Sequence, residues 1–169
     1  TVSEASMSST DSVHVTAAKC IDGNNASMCH SLDSEEGNTP QWLQLDLGSP
    51  KNISMVKIWN RVDCCQNRLG LHELQHSNDA TTWTTCGTYN APATVGPIEE
   101  VCAGAARYVR IHQLTDPMYL NLAEVQVLRS PVEPPYLLPD KSAALPDIAT
   151  SISTVSNYRE CCYACAGSA

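Results

Sequence analysis

Two arginines bracket a carboxylate and a pair of adjacent cysteines in Arg61-Val62-Asp63-Cys64-Cys65-Gln66-Asn67-Arg68. Each guanidinium offers a planar fork of donors that suits hydroxyl or carboxylate oxygens, and Asp63 can pair with one fork to fix its direction. Adjacent cysteines that oxidise to each other close a small ring through their own peptide bond and stiffen the backbone there. The product is a rigid, apolar sulfur plate flanked by donors, a binding edge for a neutral ligand with polar rims and one apolar face. The same residues also fit a strained surface loop whose cysteines bond elsewhere. The stretch by itself leaves both readings open.

The elements that must position these residues read as strands. Trp42, Leu43, Leu45 and Leu47, then Ile53, Val56 and Ile58, then Leu74, Trp83, Tyr108, Val109 and Ile111, then Leu122, Val125 and Val127 form short apolar runs. Gly, Pro, Asn and Asp separate them, which is the spacing of an all-β sandwich. No sustained 3.6-residue period appears, so helices are minor. Trp42, Trp59 and Trp83 are expected in the core or its walls, and a short strand is expected around Val13 and Val15.

Length and composition bound the rest. A chain of 169 residues has room for one ordinary domain and a small appendage. Residues 1–129 carry the strand pattern, and 130–146 read as a linker because five of the ten prolines fall there. Nine cysteines imply an oxidising compartment, and Asn25-Ala26-Ser27 and Asn52-Ile53-Ser54 read as N-glycosylation acceptors. A secreted or cell-surface location follows, with any signal peptide already removed ahead of Thr1. No run is long and apolar enough for membrane insertion. A net charge of -8 without any Lys/Arg cluster argues against nucleic acid as a partner.

Arg61-x-Asp63-Cys64-Cys65-x-x-Arg68 is similar to the signature of the fucose-binding F-type lectins, a discoidin-like family. Ile21-Asp22-Gly23-Asn24 and Gln41-Trp42-Leu43-Gln44-Leu45-Asp46-Leu47-Gly48 resemble that family's calcium loop and following strand. Arg107-Tyr108-Val109-Arg110-Ile111 and Leu120-Asn121-Leu122-Ala123-Glu124-Val125-Gln126-Val127 resemble its closing strands. The resemblance implies a discoidin-like jelly-roll β-sandwich of about eight main strands. It implies a sugar site of His30, Arg61, Asp63, Cys64, Cys65 and Arg68, with fucosylated glycans as partners and no catalysis. It also implies a structural Ca2+, with side-chain oxygens from Asp22 and Glu124 and main-chain oxygens from Lys19, Asn24, Met28 and Ala123. The family often has a serine at the Met28 position, so Ser27 or water is expected to take over that ligand.

Against the family pattern, the partner that usually bonds the cysteine at position 29 is replaced by Ala123. Cys20 is an addition a short loop away, so a Cys20 to Cys29 bridge is expected, worth roughly 2 to 3 kcal/mol. Cys86 and Cys102 match the spacing of the family's other bridge. The histidine that donates to the axial hydroxyl of fucose in the family stands two residues after the cysteine, where this chain has Ser31. His30, one position earlier, is expected to supply the contact, although one residue of slip in a strand reverses the face.

His72-Glu73-Leu74-Gln75-His76 spells a zinc-peptidase pattern, but that chemistry needs a helix to bring both histidines to one ion. On a strand they would stand about 13 Å apart. Residues 147–169 resemble the start of a PAN or apple domain, with Cys161, Cys162 and Cys165 left without assigned mates. The competing function is structural: a repeating piece of an extracellular coat or filament whose sugar pocket is degenerate or filled by its own glycans. A homo-oligomer or a longer multidomain extracellular chain would supply multiple copies on either reading.

Overall fold

Alternation in two long strands sets the architecture of the computed structural model, which describes residues 2–32, 40–114 and 119–130. Eight strands form in chain order: β1 (Glu4–Met7), β2 (Cys29–His30), β3 (Trp42–Trp59), β4 (Leu71–Ser77), β5 (Thr84–Asn90), β6 (Ile98–Gln113), β7 (Asn121–Leu122) and β8 (Glu124–Arg129). In β3, Leu43, Leu45 and Leu47 are buried while Trp42, Gln44 and Asp46 between them face outward. β6 repeats this with Val109, Ile111 and Gln113 inside. Period-2 burial of this kind is what fixes strand register. The all-β sandwich expected from the sequence is therefore the fold, in agreement with the discoidin-like resemblance, and the described residues 2–130 belong to one compact unit.

β3 and β6 pair antiparallel over most of their lengths, with register shifts between Asp46 and Lys51 and between Ile53 and Met55. Gly48 sits in the first shift at φ +75°, a conformation that side chains resist. The first half of β3 and the second half of β6 join β1, β4 and β5 in one layer. The remaining halves carry β8 in the other. Links between the layers come from Cys86 in β5 bonded to Cys102 in β6, and from the Tyr89 hydroxyl, which donates to Val101 O at 2.6 Å. β2 and β7 form a separate pair in which Cys29 faces Leu122 and His30 faces Asn121.

Large polar side chains hold three inward positions of β4 and β6. His72 is fully buried, with Nε2 at 2.8 Å from Glu100 Oε2 and Nδ1 at 2.9 Å from Gly70 O. A carbonyl can only accept, so Nδ1 donates to Gly70 O, and Nε2 shares a hydrogen bond with the Glu100 carboxyl group. The pair spans the two layers. Gln113 is the third such residue.

Several expectations change. Val13 is 83% exposed and no strand forms around it; the first strand is β1, where Glu4 to Met7 pair with Asp46 to Leu43. Of the two places expected for Trp42 and Trp83, the wall holds and the core does not: partly buried, they clasp Arg110 on the outward face of the sheet, with ring centroids 4.6 and 3.9 Å from its guanidinium carbon. Tyr108 also points outward, with Arg107 over its ring. These aromatics occupy the outward phase of the alternation, where a cation shields their faces. His72 and His76 lie on strand β4, so the zinc-peptidase pattern lacks the helix it needs. The expected linker and the segment with Cys161, Cys162 and Cys165 lie outside the described residues, apart from Ser130.

Removing one member of this buried pair should cost more than removing both, because the remaining partner loses its hydrogen bond. Glu100→Ala is expected to destabilise the domain by about 1 to 3 kcal/mol. The double replacement His72→Leu/Glu100→Leu should cost clearly less, as measured by urea unfolding. An equal or greater loss in the double variant would show that the two side chains do not depend on each other.

Candidate functional site

The loop joining β3 to β4 is pinned before it presents anything. Asn60 is buried; its N–H donates to Val95 O at 2.8 Å and its side-chain Nδ2 to Thr94 O at 2.8 Å. Arg61 then sends Nε and Nη2 to the two carboxylate oxygens of Asp63, both at 2.7 Å. The hydrogen bond from Arg61 holds the Asp63 carboxyl well below the usual carboxylate range, against a small opposing effect of desolvation. The same bond raises the Arg61 guanidinium above its ordinary value. The fork keeps Nη1 outside the pair, and its direction is set by Asp63.

Cys64 and Cys65 are bonded to each other. Cys65 lies at φ 64°, ψ 28°, in the left-handed region, at a cost of roughly 1 to 2 kcal/mol for a residue with a side chain. Cys64 is exposed, and so is Val62, at 54%. The bonded sulfurs thus present an apolar ridge to water. A single 3-10 turn, Gln66–Arg68, follows; Gln66 Nε2 donates back to Arg61 O at 3.0 Å, and the fully buried Leu69 ties off the loop.

Arg68 has different partners from Arg61. Its guanidinium carbon stands 4.5 Å from the ring centroid of Tyr119, and Nη1 lies 3.3 Å from His30 Nε2. His30 and Tyr119 rings are 5.2 Å apart. His30 Nδ1 is 2.7 Å from Ser31 O, a carbonyl, so Nδ1 carries the proton and Nε2 turns its lone pair to the guanidinium. Toward Arg68 the ring is thus an acceptor. β2 pairing with β7 gives the reason for its direction: Cys29 is buried, His30 faces out, and Ser31 turns in, where its hydroxyl accepts from Leu120 N at 2.9 Å.

The structure therefore gathers His30, Arg68 and Tyr119 from three elements, while Arg61 and Asp63 pair with each other on the same loop as Arg68 and the Cys64–Cys65 bond. Tyr119 had no role in the sequence reading. Its signal was slight: an aromatic residue just ahead of the last two strands. Gln113, beneath the loop, left no local signal at all.

A second oxygen-rich loop follows the 3-10 turn Ala17–Cys20, where Cys20 is bonded to Cys29. Asp22 accepts from Asn24 N and Ser27 Oγ, each at 2.9 Å, and Lys19 Nζ is 3.6 Å away. Burial works to raise the Asp22 carboxyl, but the bonds from Ser27 and Asn24 and the Lys19 charge outweigh it and lower it. Gly23, at φ +75°, donates its N–H to Glu124 Oε2 at 3.1 Å. Burial and the Asp22 charge push the Glu124 carboxyl up, with the Gly23 bond opposing. Ser27 Oγ also stands 2.8 Å from Asn24 O and 3.4 Å from Lys19 O.

Two carboxylates, two carbonyls and a hydroxyl in one network match the donor set of a hard cation. Among the described residues no group of three His, Cys, Asp or Glu converges, so an ion here would rest largely on main-chain oxygens. Met28 and Ala123 adjoin the network in sequence, and Ser27 brings its hydroxyl. A cavity of about 440 Å3 lined by Val2, Ile21, Asp22, Glu124 and Val127 opens beside this loop. The sequon asparagines Asn25 and Asn52 are both exposed.

Residues 19–111 match the family profile described as NedA-like, galactose-binding domain. A pentraxin fusion protein of Xenopus laevis is 31% identical over 128 residues, which cover 69% of this chain and 30% of that protein. The chain thus spans under a third of the length of this relative. Among solved structures, the lectin domain of lectinolysin complexed with Lewis B antigen is 31% identical with a TM-score of 0.67, covering 76% of this chain and 93% of that one. A fucolectin from the serum of the striped bass Morone saxatilis is 25% identical with a TM-score of 0.64, covering 73% and 45%.

The Arg61 to Asp63 fork has a titration signature. A depressed Asp63 contributes stability that is fully present above its ordinary carboxylate value and is lost only as pH falls through the lower, folded value. Carboxyl NMR of the parent should place the Asp63 midpoint below that of exposed carboxylates, and Arg61→Gln should return it toward the ordinary range. An unmoved midpoint would mean that the fork does not persist in solution.

Proposed function

The chain belongs to the F5/8 type C family of galactose-binding domains, and from that premise we propose a lectin module for terminal α-L-fucose, held in shape by one structural calcium ion and acting outside the cell. The observation that carries the reading is the cluster of Arg68, His30 and Tyr119, with Arg68 on the loop that also carries the Cys64–Cys65 bond and the Arg61 fork. Fucose is a 6-deoxygalactose, so it offers an axial hydroxyl and a methyl group to one site.

A hydroxyl both donates and accepts. Set between Arg68 and His30, it accepts from the guanidinium and donates to Nε2, replacing their long 3.3 Å contact with two shorter ones. Arg61, aimed by Asp63, donates to a further ring or hydroxyl oxygen. The apolar edge of the sugar rests on Cys64, Cys65 and Val62, removing that ridge from water. What the solved relatives bind supports this choice of ligand: the lectinolysin domain is complexed with Lewis B antigen, and the striped bass protein is a fucolectin.

Every polar contact replaces one with water, so a single site binds in roughly the micromolar to millimolar range. Useful retention on a cell surface requires several copies, through oligomers or linked modules. No bond is made or broken in this scheme, and the module is not an enzyme. Asp22 and Glu124 and the carbonyls of Lys19, Asn24, Met28 and Ala123 would hold the calcium, with the Ser27 hydroxyl or water taking over at the Met28 position. Bound there, the ion would supply positive charge that relieves the repulsion between the two carboxylates. Three disulfides and two exposed sequons, at Asn25 and Asn52, support an extracellular setting. Among the described residues no helix is long and apolar enough to cross a membrane.

Titration with fucose tests the site: Arg68→Ala should weaken binding at least tenfold, by roughly 1.4 kcal/mol or more. Binding equal to the parent's would remove the assignment. For the ion, calcium should raise the thermal midpoint of the parent and leave Glu124→Gln nearly unchanged; an equal rise in both would place the ion elsewhere.

A further inference from the structure

Gln113 ends β6 on its inward face, in line with Val109 and Ile111, and is fully buried. A carboxamide in such a place is unfavourable unless its polar atoms find partners. Nε2 donates to Arg68 O at 2.7 Å and lies 3.4 Å from Tyr119 O. Oε1 has no hydrogen-bond partner among the described residues. Turned over, the amide would set this oxygen against two carbonyls, so the surroundings enforce the orientation observed.

Those two carbonyls belong to the residues whose side chains stack on each other outside. Arg68 and Tyr119 come from separate loops, and their charge and ring meet at 4.5 Å. One amide nitrogen therefore joins the main chains behind both partners of that cation–π contact. Gln113 is itself held from two sides. Its N–H donates to Gln41 O at 2.9 Å, and its partner across the sheet is His72, whose ring grips Gly70 O two residues beyond Arg68. Apolar side chains would pack this position at less cost in desolvation, but none could hold two loop carbonyls.

We propose that Gln113 is a positioning residue of the sugar site: by fixing the main chains of Arg68 and Tyr119 together, it sets the spacing between the charged and aromatic walls that receive the ligand. It does not touch the sugar. The assignment rests on the lectin reading given above, and deepens it by naming what decides the geometry of that site.

Fucose titrations of Gln113→Met and Gln113→Glu test it. Methionine keeps the length of the side chain without the donor; glutamate keeps its shape and turns an oxygen on the carbonyls. Both should bind fucose about tenfold more weakly than the parent. Both should also discriminate less between fucose and galactose, a change that a plain loss of stability does not produce. Because the effect runs through Arg68, adding Gln113→Met to Arg68→Lys should change the affinity of that variant by no more than about twofold. Parent-like affinity and selectivity in the Gln113 variants, or a full additive loss on top of Arg68→Lys, overturns the positioning role while the lectin reading stands. A parent that does not respond to fucose overturns both. Thermal unfolding shows whether each variant is folded. Should Gln113→Met fail to fold, Gln113→Asn replaces it, keeping a donor one methylene short, and is held to the same tenfold and selectivity criteria.

Discussion

The arginine loop works because its main chain is gripped from inside the sandwich while its side chains are left outside. Gly70 O receives His72 and the N–H of Ala91, Arg68 O receives Gln113, and Asn60 is tied to Val95 and Thr94. Leu69 fills the core beneath. A loop without these anchors would have to order two long cationic side chains each time a ligand arrived, which lowers affinity directly. Cys65 in its left-handed conformation, bonded to Cys64, removes more of the remaining freedom. Rigidity is thus built below the proposed sugar site, and donors are offered above it.

The same anchoring explains why a β-sandwich of this size tolerates polar groups at core positions. His72, Glu100 and Gln113 each occupy a place where the alternation calls for an apolar residue. His72 and Glu100 satisfy each other across the layers, and Gln113 serves two carbonyls that would otherwise lie buried near the loop. Such groups are costly unless partnered, and Gln113, whose Oε1 has no hydrogen-bond partner among the described residues, bears part of that cost. The placement of His72 and Gln113 at the loop end of β4 and β6 puts that requirement under the functional surface.

How much of this was legible in the sequence depended on distance along the chain. The fold was readable from period-2 runs such as Leu43, Leu45 and Leu47, since each strand carries its own alternation. Arg61, Asp63, the two cysteines and Arg68 were readable as a group because they lie within eight residues. Tyr119 and Gln113 were not, because their meeting with Arg68 is made by β6 and by the last loop arriving from far away in sequence. The direction of His30 was likewise set by pairing with Asn121, which no local pattern announces. Trp42 and Trp83 misled because hydrophobicity does not tell an inward residue from one covered by an arginine. The zinc-like spacing of His72 and His76 was a coincidence of strand residues, separable from a metal motif only through the turn signals around it.

β3 and β6 each contribute to both layers, changing layers at the register shift between Asp46 and Lys51 of β3, opposite Tyr108 and Ala106 of β6. No cut can detach one sheet from the other without severing both of these ribbons. Disorder starting at one rim is consequently transmitted along continuous backbone to the opposite rim, and the domain melts as one cooperative unit, with no separable half left standing.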